Sequence, residues 1–402
     1  MNSRPFELDA LIASHRYGHA LSRGFYTSQD IYNYDIAQVW SRNWLWVGHV
    51  SQIPSTGDYF LFDYGTESII VVRDRDGDIL AHINVCRHRG SRVCTAQSGN
   101  SRVFVCPYHA WTYELSGKLR ASNHMGKDFD PDLIGLLPVQ VSVINGLIFV
   151  CADANTPSLD PVVTQLSPLV EPYGLDDLKV AHTASFPVPA NWKLAVENYL
   201  ECYHCGPAHK EYSRSHSLNS PQDMVGLIEP LKARSAEIGL SPIELELVGA
   251  AALTPFTSGY YRRYPLYPDY KTGSKSGESL APLLGKLKGF DGGAADLNIG
   301  PLNWFLIYSD HMVGYRFIPR ALQQTDIQVV WLVHADAKEG RDYDKEKLTW
   351  LWHVTSLDDE RIIRHNQSGV NSQYFQPGPL GEMERSIKDF YDFYFFMMNP
   401  ET

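Results

Sequence analysis

Two short pairs of metal-binding side chains constrain this chain more than anything else in it. Cys86-Arg87-His88 and, after 17 intervening residues, Cys106-Pro107-Tyr108-His109 supply two thiolates and two imidazoles. Six cysteines in 402 residues are too few for a disulfide framework, so the histidines beside them matter more than their number. A Cys2His2 set can hold tetrahedral zinc. It can also hold a [2Fe–2S] cluster in which two imidazoles replace two thiolates on one iron. Ligand identity alone leaves both readings open. The order along the chain favours the cluster: zinc fingers pair Cys with Cys and His with His, whereas each pair here holds one of each. Two such loops can both clamp both irons.

The surrounding pattern is β-rich. Residues 68–73 and 79–85 are strand-like runs separated by Asp74-Arg75-Asp76-Gly77-Asp78, a hairpin signal. Residues 103–105, 111–114 and 143–150 continue the theme, with Ser116-Gly117 as another turn. This predicts a small all-β domain over residues 45–155. Residues 1–44 read as a helical arm packing on the second domain, with Ser28 capping a helix that carries Ile31, Ile36, Val39 and Trp40. Beyond a linker at 157–161, a second domain is expected over 156–402. It opens with a strand at 179–186 and a helix from 192 to 205. Strands follow at 304–308, 312–319 and 327–334, and helices around 343–364 and 379–396. Residues 267–300 carry Pro, Gly, Ser and Lys with little periodicity, which predicts a lid, an insertion or a mobile loop. The expected fold class is α+β.

Composition excludes some partners. The formal charge is −11 and no basic block exists, so a nucleic-acid partner is not expected. The longest apolar stretches, 143–151 and 393–398, fall short of the roughly 20 residues of a membrane span. Residues 1–20 lack the apolar core of a signal peptide. A soluble, cytoplasmic protein is expected.

A second metal site is legible at His204-x4-His209. Two imidazoles and one carboxylate on one face of an iron leave positions open for O2 and substrate. Residues five apart in a regular α-helix are turned by about 140°, so the helix must widen or break between them. Gly206-Pro207 lies there, and Pro207 has no N–H to give. Cys202 and Cys205 read as small buried hydrophobes rather than a third metal site. His182, His216 and His365 read as structural or surface residues.

The runs Cys86-Arg87-His88-Arg89-Gly90 and Cys106-Pro107-Tyr108-His109-Ala110-Trp111 resemble the Rieske signature of the Rieske non-haem iron oxygenase alpha subunits, and the resemblance extends over nearly the whole chain. It implies an all-β Rieske domain plus a catalytic domain with an antiparallel sheet flanked by helices. Cys86, His88, Cys106 and His109 would bind the [2Fe–2S] cluster, and His204 and His209 a mononuclear non-haem Fe(II). Thr355-Ser356-Leu357-Asp358-Asp359-Glu360-Arg361, leading into Asn366-Gln367-Ser368-Gly369, resembles the family's acidic-ligand segment. Registering on Gln367-x-Gly369 gives Asp359 as the third ligand, with Asp358 as the alternative. Glu201 stands where the family has a carboxylate bridging the iron ligand His204 to the cluster ligand His109 of an adjacent subunit. Most arene dioxygenases have Asp there. Asn198 is carried over beside Glu201 as a catalytic candidate. The family also implies a homotrimer and a separate NAD(P)H-dependent flavin/iron–sulfur reductase, in keeping with the want of a Gly-x-Gly-x-x-Gly motif after a strand.

Glu201-Cys202-Tyr203-His204-Cys205 and the segment 331–344 resemble the branch that oxidises glycine betaine, carnitine and proline betaine. That likeness implies O2-dependent N-demethylation with formaldehyde release, with oxidation of another carbon beside nitrogen left open. A permanent cation is recognised by aromatic faces and carboxylates. Trp304 and Tyr308, on one strand face with Leu306, are the candidate substrate residues. Two other readings stand beside this one. An aromatic-ring-hydroxylating dioxygenase would need a mostly apolar pocket. A Rieske electron-transfer protein without oxygenase activity is opposed by the second metal site.

Overall fold

The computed structural model describes residues 4–216, 221–247 and 258–399. It divides into two compact units, Ser41–Thr156, and Met1–Trp40 together with Pro157–Thr402.

The unit Ser41–Thr156 is built from strands β1 (Leu45–His49), β2 (Asp58–Tyr64), β3 (Glu67–Arg73), β4 (Ile79–Ile83), β5 (Ser98–Asn100), β6 (Phe104–Val105), β7 (Thr112–Tyr113), β8 (Leu119–Ala121), β9 (Pro138–Ile144) and β10 (Leu147–Cys151). One antiparallel sheet runs in the order β1-β10-β9-β4-β3-β2-β5, and β6-β7-β8 form a smaller one. The β3–β4 hairpin turns on Asp74, whose carboxylate accepts the amides of Asp76 and Asp78, each at 2.9 Å. The run expected as one strand over 143–150 is in fact a hairpin. Asn145 and Gly146 have φ of +46° and +78°, the two-residue turn that Asn-Gly favours, and β9 and β10 pair across it. Ile70, Val72, Phe104 and Trp111 pack with Cys86 and Cys106 in one buried cluster, so the core itself carries both Cys/His loops.

The other unit contains α1 (Leu8–Ser14), α2 (Gly24–Thr27), α3 (Gln29–Asp35), a π-helical turn (Ile36–Trp40), α4 (Asp160–Val170), β11 (Leu178–Val188), α5 (Trp192–Tyr199), α6 (Cys205–Ala208), α7 (Lys210–Ser215) and α8 (Pro221–Ile238). Then come β12 (Leu245–Leu247), β13 (Gly259–Pro265), β14 (Gly293–Ile299), β15 (Trp304–Ile307), β16 (Met312–Ala321), β17 (Gln324–His334), α9 (Lys345–Val370) and α10 (Arg385–Met398). The strands form an antiparallel sheet in the order β11-β17-β16-β15-β14-β13-β12. The fold is α+β. Among the described residues, no helix is long and apolar enough to cross a membrane.

Three particulars position the site. The side chain of Ser28 caps α3 by accepting the Ile31 amide, as its sequence predicts. Helix α5 is held from the N-terminal segment by buried polar contacts. Asp35 forms an ion pair with Lys193 and accepts from Trp192 Nε1 (3.1 Å) and the Tyr394 hydroxyl (2.7 Å), and the Tyr26 hydroxyl donates to Glu197 (2.8 Å). Removing one partner of such a fully buried pair would cost about 3–5 kcal/mol. Finally, the long loop is shorter than expected, because residues 293–299 form β14. The remainder is pinned by Asp310, whose carboxylate accepts from the Thr272 hydroxyl (2.8 Å) and the Leu280 amide (2.7 Å).

Candidate metal centres

The two Cys/His loops are built alike. The Cys86 amide donates to the Ser91 carbonyl (2.8 Å) and the Gly90 amide to the Cys86 carbonyl (2.9 Å). The Cys106 amide donates in the same way to Trp111 (2.8 Å), and the Ala110 amide to Cys106 (3.0 Å). The residue closing each loop has positive φ, +77° at Gly90 and +58° at Ala110. Glycine takes that conformation freely, whereas alanine there stores about 1 kcal/mol. Cys86 and Cys106 are buried, and His109 is exposed. The His88 ring stacks on Trp111 with centroids 4.8 Å apart and lies 4.6 Å from His109. The Tyr113 hydroxyl is 3.2 Å from Cys86 Sγ and accepts the Arg87 amide at 3.1 Å. Burial would raise the Cys106 thiol, but hydrogen bonds from the Tyr108 and His109 amides help hold it below its usual range.

One tetrahedral ion would draw its donors to within about 4 Å of one another. Among the described residues, only His204, His209 and Asp359 bring three donor atoms within 4.8 Å, so the Cys/His set does not converge on a single point. Its spacing fits a larger group shared between both loops, as a [2Fe–2S] cluster is.

The second set does converge. His204 Nε2 is 3.1 Å from His209 Nε2, which is 3.0 Å from Asp359 Oδ1, and His204 Nε2 is 3.5 Å from that oxygen. Metal bonds of about 2.1 Å at right angles put their donors about 3.0 Å apart, so these atoms outline one face of an octahedron. Asp359 Oδ1 is buried and, although close to both imidazoles, hydrogen-bonds to neither. The three donor atoms lie close enough together to share one point, that of a single ion. Charge fits too. Burial works against a cationic His204, yet contacts with Asp359 and Glu201 outweigh it and push the imidazole up to about 9. Burial would raise Asp359, but the two imidazoles hold it below the ordinary carboxylate value. This is a place for positive charge, and its donors fit an Fe(II) ion with open positions.

Asp358 faces elsewhere, 3.7 Å from His209 Nδ1 on the far side of the ring and bonded by Arg361 (3.2 Å). Helical periodicity explains the choice. Trp352, Ser356 and Ile363 are buried on one stripe of α9; Asp359 falls on it, and Asp358 is turned about 100° away.

The backbone differs from the expected 192–205 helix. Helix α5 stops at Tyr199, His204 caps α6, and His209 (φ −111°, ψ 74°) separates α6 from α7. The break thus lies at the histidines, not at Gly206-Pro207. Pro207 occupies the first turn of α6, where no amide hydrogen is needed. Glu201 sits in the non-helical link. Its Oε1 is 2.6 Å from His204 Nδ1, and its Oε2 accepts the amides of Tyr203 and His204. Asn198 Nδ2 is 3.4 Å from His204 Nε2. Cys202 and Cys205, expected as separate small hydrophobes, are joined as a disulfide around Tyr203 and His204. The turn brings their Cα atoms to 4.9 Å, within bridging range.

Of the two candidate substrate aromatics, Tyr308 has no open face. It is fully buried, its ring stacked on His311 (4.5 Å) and its hydroxyl 2.7 Å from His216 Nε2. His216, which burial pushes down to about 3, is the structural residue it was expected to be. Trp304 is buried beside Tyr199 and Phe317, each 5.5 Å away between centroids. Tyr199, only partly buried, also packs on Tyr315 (5.0 Å), and Tyr212 lies 6.4 Å from His209. Sequence reading missed both tyrosines, although Tyr199 follows Asn198 directly.

Residues 175–399 match the model of the ring hydroxylating alpha subunit catalytic domain, and residues 43–141 that of the Rieske [2Fe-2S] domain. The chain is 33% identical over 395 residues to the glycine betaine monooxygenase oxygenase subunit of Pseudomonas aeruginosa strain UCBPP-PA14, covering 96% of this chain and 90% of that one. It is 37% identical over 200 residues to the carnitine monooxygenase oxygenase subunit of Escherichia coli K12, covering 48% and 52%. A crystal structure of a quaternary ammonium Rieske monooxygenase superposes with a TM-score of 0.73 at 21% identity, covering 97% of this chain and 98% of that one.

Proposed function

The chain belongs to the ring-hydroxylating alpha subunits that carry a Rieske [2Fe–2S] domain, and from that premise we propose that it is the terminal oxygenase of a two-component system oxidising a small quaternary ammonium compound. The observation that carries the substrate class is the likeness to a glycine betaine monooxygenase subunit along 96% of the chain.

Cys86, His88, Cys106 and His109 would hold the cluster, and His204, His209 and Asp359 the mononuclear Fe(II). When bound, these groups supply single electrons and open iron positions for the reduction of O2 beside substrate. The chain's own side chains do the rest. Glu201 holds the Nδ1 proton of His204, which leaves Nε2 facing the shared point. Asp358 lies behind His209, and the Asn198 amide stays within reach of His204. The aromatic wall formed by Tyr199, Trp304, Tyr315 and Phe317 keeps water out and offers π faces to a cation.

The reaction proposed is N-demethylation. One oxygen atom of O2 enters a methyl C–H bond, and the other leaves as water with two electrons and two protons. The resulting N-hydroxymethyl ammonium loses formaldehyde and a proton, leaving the tertiary amine. The electrons come from a separate NAD(P)H-dependent reductase, so the setting is the cytoplasm. In a homotrimer, Glu201 would bridge His204 to His109 of the adjacent subunit, a role in keeping with the exposure of His109.

A single turnover of chemically reduced protein with O2 tests this. Glycine betaine, carnitine, choline, proline betaine and several aromatic acids are offered in turn. Formaldehyde from one ammonium compound, with its demethylated product, is expected. A hydroxylated aromatic acid and no formaldehyde would instead identify an arene oxygenase.

A further inference from the structure

Strand β14 carries one acidic side chain whose surroundings fit no purely structural role. Asp296 lies opposite Arg262 of β13 and Leu306 of β15, on the sheet face that also bears Trp304 and Tyr315. That face is the wall of the iron site. Tyr199 packs on Trp304 and Tyr315, and the hydroxyl of Tyr212, whose ring lies beside His209, feels the charge of both Asp296 and Asp359. Asp296 is densely enclosed, yet part of its surface stays accessible.

Among the described residues, its carboxylate makes no hydrogen bond and no ion pair within 4 Å. Arg262, directly across on β13, places its guanidinium over the Tyr264 ring (5.2 Å) and 3.7 Å from Glu244 rather than within 4 Å of that carboxylate. Burial pushes the Asp296 carboxyl up to about 7, outweighing the opposing charge of Arg262. Enclosing a carboxylate without a partner is costly, and the position is easily filled by a neutral residue. What surrounds it instead are tyrosines: Tyr199, Tyr212, Tyr260 and Tyr264 all sense its charge.

We propose that Asp296 is the counter-ion of the substrate's ammonium group, holding it against the aromatic wall of the iron site. This rests on the quaternary ammonium reading above and names the residue that would enforce it. A carboxylate on the same sheet face as an aromatic cluster suits a cation that has no N–H to donate. The charge of such a cation is spread over its methyl groups, so it needs a field and π surfaces rather than a hydrogen-bond acceptor. An arene gains nothing from such a group and loses by its desolvation.

The test is equilibrium binding to the iron-loaded holoenzyme without O2, so that no turnover intervenes. Glycine betaine, carnitine and proline betaine are titrated by calorimetry, with 3,3-dimethylbutyrate as the uncharged-head carbon isostere of glycine betaine. Wild type should bind at least one betaine and bind the isostere at least about 30-fold more weakly than glycine betaine. Asp296→Asn should weaken betaine binding by at least about 30-fold, with unchanged cluster absorption and iron content. Asp296→Glu, which keeps the charge, should retain part of the affinity. Equal betaine binding by wild type and Asp296→Asn, or equal binding of betaine and isostere by wild type, overturns the counter-ion role while the substrate class stands. Absence of any betaine binding in wild type, together with no formaldehyde in the single turnover, overturns both.

Discussion

Asp358 and Asp359 are neighbours of one chemical type, and only their direction on α9 distinguishes them. Asp359 Oδ1 completes a face with the two Nε2 atoms, whereas Asp358 approaches His209 from behind and is engaged by Arg361. Asp359→Ala is therefore expected to lower the metal from about three irons per chain to about two, the cluster remaining. Asp358→Ala should keep all three. Plasma emission analysis with the visible spectrum of the cluster reads both, and the reverse pattern would move the ligand by one residue. The choice was nearly legible in the sequence, since Trp352, Ser356 and Ile363 already mark the stripe on which 359 falls. Asp296 was not legible. Its meaning lies in which cation fails to reach it, and no spacing along a chain records that. The same limit applies to Tyr308, expected on the strand face of Trp304, which lies just beyond the end of β15 with its ring spent on His311.

At the scale of elements, the site depends on a segment that is not helical. The residues between α5 and α6 lead into His204, and Glu201 holds that turn by accepting two backbone amides while also holding the His204 ring. The spacing of five residues demanded a break between the histidines, yet α6 runs between them, with the Ala208 amide bonded to the His204 carbonyl and the His209 amide to Cys205. Gly206-Pro207 misplaced it, because proline is as much at home in a first turn as at a break. The Asn145-Gly146 turn is masked in the sequence for a related reason: apolar residues on both sides give 143–150 the appearance of one strand. Glu201→Gln keeps an oxygen to accept an amide but removes the charge. It is expected to retain about three irons and the cluster spectrum. Reductase-driven turnover should fall by roughly 10- to 100-fold or more, the usual cost of an altered group behind a metal ligand. Steady-state formaldehyde release at the wild-type rate would remove Glu201 from the electron path.

For the molecule as a whole, stability should depend on pH through a buried group that ligates neither centre. Glu197 is buried on α5, and its desolvation outweighs the hydrogen bond from Tyr26, pushing its carboxyl up to about 8 from 4.5. Below pH 4.5 the group is protonated in both the folded and unfolded chain, so it contributes no pH dependence there. Between pH 4.5 and 8 the folded protein keeps the proton that the unfolded chain releases, so stability falls as pH rises. Above about 8 both forms are ionised and the loss, on the order of a few kcal/mol, is complete. Other groups titrate in the same window, so the informative quantity is the difference between wild type and Glu197→Gln, which has no proton to lose. The apparent Tm of the variant minus that of wild type should rise by several degrees from pH 5 to pH 8 and level off beyond. A difference that stays flat over that range would mean that Glu197 is ionised in the folded protein at neutral pH, paired with Lys193 across the core of α5 rather than held as the neutral acid.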